Sequence, residues 1–96
     1  MPYCTEFTLG RIELQVTVLQ GWTEFLWDFM VGPVGRKRWH PDARFLADDL
    51  IHAMTGPEGE GFYTLREAKA AFARSMMLLQ RDGWDGLSWT GTWRRC

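Results

Sequence analysis

The sequence predicts a small α+β domain: an antiparallel β-hairpin, then two helices, then a short C-terminal strand, in the order ββααβ. Three observations carry this. Apolar and polar residues alternate at period two near the N-terminus, the signature of a half-buried strand. Two later segments set apolar residues at helical spacing. Gly and Pro separate these segments with loops too short for an interdomain linker, so residues 1–96 read as one domain.

Residues 7–18 read as the first strand. Ile12, Leu14, Val16 and Val18 share one face, and Glu13, Gln15 and Thr17 share the other. Gly10 within it suggests a bulge or bend. Gln20-Gly21 reads as a turn into a second strand over 22–31, where Phe25, Trp27, Phe29 and Val31 alternate with Glu24, Leu26, Asp28 and Met30. Residues 32–41 hold two glycines and two prolines and read as a loop or a short extension of the hairpin.

The first helix is expected over 42–54, with Ala43, Leu46, Ala47, Leu50, Ile51 and Met54 as its apolar stripe. Thr55-Gly56-Pro57 supplies the stop, and a short acidic loop follows over 58–61. Thr64-Leu65-Arg66-Glu67 is a capping box, so a second helix is expected over 65–81. Leu65, Ala68, Phe72, Ser75, Met76 and Leu79 form its inner stripe, and Gly83 suits the C′ position. The tail, 87–93, alternates again and reads as a third strand or an aromatic segment laid on the sheet.

Composition bounds the function. The chain is 46% hydrophobic and 24% charged, which argues for a folded core. No apolar run approaches the roughly 18–20 residues of a membrane span. The first residues show neither a basic start nor an apolar h-region, so a cytoplasmic protein is expected. A formal net charge of -1 argues against a strongly basic nucleic-acid binder and against an acidic DNA mimic. Charge alternates in blocks instead: acidic over 1–31, basic over 32–44, acidic over 45–67 and basic over 68–96. Such a surface suits steering toward a protein partner.

Cys4 and Cys96 stand at opposite ends. One disulfide closing the chain is geometrically open to them. In a reducing cytoplasm both are expected to be free thiols. Neither C-x-x-C nor a finger-like Cys/His spacing occurs, so no metal site and no cofactor are expected.

The main candidate site is Gly32-Pro33-Val34-Gly35-Arg36-Lys37-Arg38-Trp39. Three consecutive bases suit phosphate or a carboxylate cluster, and Trp39 suits a stack or an anchor. The P-loop spacing is absent. Asp48, Asp49 and His52 make a small acidic-histidine group that reads first as a helix surface ion pair. His40 has no nucleophile marked beside it, and neither Ser75 nor Ser88 sits in a Gly-x-Ser-x-Gly elbow. No catalytic residue is therefore assigned. Met76-Met77-Leu78-Leu79 is apolar all round, so two of the four should face away from the core stripe, where with Trp84 they either offer a contact patch or lie buried under the C-terminal tail. The six tryptophans, Trp22, Trp27, Trp39, Trp84, Trp89 and Trp93, exceed what a small core holds, so some should be half-exposed, either reaching a partner or covering a thin core.

In style the chain resembles the small single-domain inhibitors made by phages and mobile elements, anti-CRISPR proteins among them. The shared features are the short length, the β-hairpin within 7–31, the capped Ala-rich helix over 64–81, many aromatics and no catalytic motif. That group has no common fold, so the resemblance carries no residue-level site. It implies steric blocking of a host protein or nucleoprotein complex, such as a CRISPR effector, by a non-enzymatic binding protein. The residues expected to make contact are Arg36, Lys37, Arg38, Trp39, Trp89 and Trp93. A second reading is a small nucleic-acid-binding module using the basic loop 36–38 and stacking tryptophans. A third is a homodimer built through the second helix and the tail.

Overall fold

The alternation that predicts the first strand breaks its parity at Gly10. Phe7 and Leu9 are apolar at odd positions, whereas Ile12, Leu14, Val16 and Val18 are apolar at even ones. A two-residue turn produces this, because it returns the chain with cross-strand partners on one face. The computed structural model, which describes residues 2–20, 26–35, 38–55 and 61–96, has that turn. Residues 7–18 are therefore not one strand with a bulge. β1 (Tyr3–Leu9) pairs antiparallel with β2 (Ile12–Gln20), Leu9 opposite Ile12 and Phe7 opposite Leu14. Gly10 adopts φ +60° and Arg11 does not, the backbone sense of a type II′ hairpin with Gly first.

β2 pairs antiparallel with β3 (Trp27–Pro33), Val16 opposite Val31 and Val18 opposite Phe29. The strand thus runs two residues further than the alternation predicts, through Gly32 and Pro33. The expected residues Trp22 and Phe25 lie outside the described residues. α1 (Pro41–Thr55) and α2 (Leu65–Arg81) follow. The tail forms two short strands rather than one, β4 (Leu87–Trp89) and β5 (Arg94–Arg95). Gly91, at φ +84°, lies in the segment that separates them. Both strands pair with β1, β4 at Phe7–Leu9 and β5 at Tyr3–Cys4. The sheet order is β3-β2-β1-β4, with β5 also on β1. The chain therefore begins at the centre of its sheet and ends on it.

The helices cover one sheet face. Phe7, Leu14, Val16, Val18, Phe29 and Leu87 from the strands meet Leu46, Leu50, Met54, Phe72, Met76 and Leu79 from the helices. Their burial is the main stabilising term. Ala43, Leu46, Ala47, Leu50 and Met54 form the inner stripe of α1, while Ile51 lies on its exposed flank. In α2 the expected stripe holds, with Ala71 added and Leu65 half-buried. The Thr64 side chain accepts the Glu67 N–H at 3.1 Å, which fixes the start of α2. Buried Ser75 donates to the Ala71 carbonyl at 2.8 Å and so takes a local partner.

The opposite sheet face is polar. By register it carries Glu6 and Thr8 from β1, Glu13, Gln15 and Thr17 from β2, and Ser88 from β4. The β3 edge is blunted against further strands. Trp27 exchanges both backbone hydrogen bonds with Phe62, the Asp28 carboxylate accepts the Phe29 N–H at 2.8 Å, and Pro33 has no donor. Gly61 allows this closure, since a Cβ there would lie 2.8 Å from the Trp27 carbonyl oxygen.

Candidate functional site

The segment between β3 and α1 is anchored at its far end. His40 closes the first turn of α1: its carbonyl accepts the Arg44 N–H at 3.2 Å, and its Nδ1 accepts the Asp42 N–H at 3.2 Å. Pro41 occupies the first helical position, where a missing N–H costs nothing. Trp39 is half-buried against the core, and the Arg44 guanidinium sits 5.9 Å from its ring centroid. Arg38 is exposed directly before this anchor. Arg36 and Lys37 lie outside the described residues.

Trp89 and Trp93 sit elsewhere, over β1 and α2. Both stand edge-on to Phe72, at centroid distances of 4.7 and 5.5 Å. The Trp89 indole N–H donates to the Thr5 hydroxyl at 2.6 Å, and that hydroxyl donates to the Thr92 carbonyl at 2.5 Å. Thr5 is thereby satisfied although buried, and it pins the segment between β4 and β5. Lys69 lies over the rings of Tyr3 and Trp93, at 4.7 and 5.6 Å. The expected contact residues thus fall in two groups, Arg38 with Trp39 at the start of α1 and Trp89 with Trp93 beneath the tail.

The side chains that suggested chemistry hold structural positions. His40 caps a helix. The Asp49 carboxylate accepts the Trp84 indole N–H at 3.2 Å and ties α1 to the turn after α2. Ser75 is buried in its own helix. Among the described residues no group of three His, Cys, Asp or Glu side chains is placed to hold a metal ion.

The cysteines are a correction. Cys4 and Cys96 are joined by a disulfide, not free. Register explains this: β5 pairs Cys4 with Arg94, and the Cys96 N–H donates to the Pro2 carbonyl at 3.3 Å, so the last residue reaches the first strand. Gln15 Nε2 donates to Cys4 Sγ at 3.2 Å. In the sequence the only trace of the bond is the placing of two cysteines at the two ends.

A groove of about 760 Å³ opens on the polar sheet face. Glu6, Thr8, Arg11, Glu13, Ser88 and Trp93 line it, and the Glu6–Arg94 pair bridges β1 to the tail at 2.9 Å. Both partners of that pair are half-exposed, so it adds little stability. In the sequence this face shows only as the polar half of the alternation, Glu13, Gln15 and Thr17. Among the described residues no helix is long and apolar enough to cross a membrane. Comparison with protein-family models, with curated proteins and with solved structures finds no match for the chain.

Proposed function

We propose that the chain is a small non-enzymatic binding protein, of the phage or mobile-element inhibitor type, that blocks a host protein or nucleoprotein complex such as a CRISPR effector by steric occlusion. The observation that carries this reading is the anchored segment before α1. In the sequence the bases Arg36, Lys37 and Arg38 lead directly into Trp39, which is half-buried against the core beside the Arg44 guanidinium. Three consecutive bases beside a half-buried tryptophan suit an acidic protein surface or the phosphates of a nucleoprotein. The engagement of His40, Asp49 and Ser75 in capping, tying and local bonds supports a role without chemistry.

The alternative, a nucleic-acid-binding module, needs tryptophan faces free to stack. Trp39 lies beside Arg44, and Trp89 and Trp93 pack on Phe72, which favours the occlusion reading. Action on an intracellular effector places the chain in the cytoplasm. A disulfide is more at home in an oxidising compartment, so this placement requires the reduced chain to stay folded.

A plasmid-interference assay tests the proposal. In cells with an active CRISPR effector, the chain is expected to raise survival of a targeted plasmid by at least roughly tenfold, and alanine at Arg36, Lys37 and Arg38 together to abolish the gain. Unchanged interference across effector types, or full inhibition by the triple variant, contradicts the proposal or its site respectively.

A further inference from the structure

The outer surface of the helix layer carries two stripes that the core does not use. On α1, Phe45, Asp48, Asp49 and His52 follow each other at steps of three, one and three, directly opposite the buried stripe. On α2, Arg74, Met77, Leu78 and Arg81 do the same. Each stripe holds large apolar side chains in the open: Phe45 is 68% exposed, Met77 63% and Leu78 49%. This is the outcome expected for Met76–Leu79, two residues inward and two outward.

The charges around these anchors are of opposite sign. The α1 stripe is acidic and the α2 stripe is basic. Among the described residues Asp48, Arg74 and Arg81 make no ion pair, whereas Glu6 and Arg94 pair with each other. One surface therefore presents an acidic stripe with an aromatic anchor beside a basic stripe with aliphatic anchors. A two-fold axis requires such a surface: residue i meets residue j, and j meets i.

We propose that this face binds a second copy of the chain, α1 of each protomer laid against α2 of the other. Phe45 then seats beside Met77 and Leu78 of the second copy, with Asp48 facing Arg74 and Arg81. Apolar anchors supply the affinity and the charges fix the register. This surface uses none of Arg36, Lys37, Arg38 and Trp39, so the inference goes beyond the function proposed above and is tested without it.

Charge exchange in the oxidised full chain tests it. Sedimentation equilibrium from low micromolar to millimolar protein is expected to show wild type passing from monomer to dimer. Arg74→Glu with Arg81→Glu gives a chain with two acidic stripes, and Asp48→Lys gives one whose charge facing Arg74 and Arg81 is reversed at position 48. Each alone is expected to dimerise at least roughly tenfold more weakly than wild type. Mixed one to one, they are expected to form a heterodimer tighter than either homodimer. Circular dichroism melts confirm that these surface variants fold. Wild type that stays monomeric throughout overturns the proposal. So does dimerisation that both variants leave unchanged, which would put the interface on another face.

Discussion

Cys96→Ser lowers the stability of the folded chain by about 4–5 kcal/mol, the largest effect expected of any single substitution away from the core. The bond spans 92 residues of sequence, so it closes almost the whole chain into a ring. In the chain-entropy model such a ring restricts the unfolded state far more than the folded one. For a domain of this size the corresponding fall in melting temperature is roughly 20–35 °C. Cys96 is the better residue to replace. It is exposed, whereas Cys4 is fully buried against Gln15 and its loss would add a packing defect. Denaturant unfolding with and without a dithiol reductant makes the same comparison in wild type. Equal midpoints in the two forms contradict the expectation. A reduced form that is unfolded at growth temperature contradicts the cytoplasmic placement instead.

Phe72→Ala costs about 3–5 kcal/mol. Phe72 is fully buried and stands at the centre of an aromatic cluster, 5.9 Å from Phe7, 4.7 Å from Trp89 and 5.5 Å from Trp93 between ring centroids. Removing the ring leaves a cavity between α2 and the sheet. It also takes away the edge-to-face contacts that orient both tail tryptophans. Two readouts are therefore expected together: a lower unfolding midpoint, and red-shifted tryptophan emission in the folded state as Trp89 and Trp93 loosen. Phe72→Leu restores most of the volume and is expected to recover much of the stability, with less of the fluorescence change. A stable variant with unchanged emission contradicts the placement of Phe72 as the hub.

These two expectations differ in how far the sequence announced them. Phe72 lies in a helix with a capping threonine, an unbroken apolar stripe and a glycine beyond its end, and all three signals are local. The first strands were half legible. The parity break between Leu9 and Ile12 marks the turn, but a short glycine-containing break in an alternating run also fits a bulge. Tyr3-Cys4-Thr5-Glu6 hides its strand because its inward residue Thr5 is polar, and Thr5 is satisfied by Trp89 and Thr92 from the far end of the chain. The disulfide is hidden for the same reason, since β5 returning to β1 is a tertiary event.

The tryptophans show the limit of composition as a guide to a site. Trp27, Trp39, Trp84, Trp89 and Trp93 are all partly buried and packed against the core. The aromatic excess thickens a thin core before it makes a surface. Among the described residues the open apolar side chains are Met30, Phe45, Ile51, Tyr63, Met77 and Leu78, which carry no distinctive motif. Helical spacing places Met77 and Leu78 outward, and it places Phe45 off the apolar stripe of α1 in the same way.

Affinity capture of the tagged chain from nuclease-treated lysate of its natural host tests the central claim, occlusion of a macromolecular partner, most directly. The account predicts a protein or nucleoprotein complex retained in stoichiometric amount, and lost when Arg36, Lys37 and Arg38 are all alanine. Retention of nucleic acid alone in an untreated lysate, with nothing retained after nuclease, would contradict it.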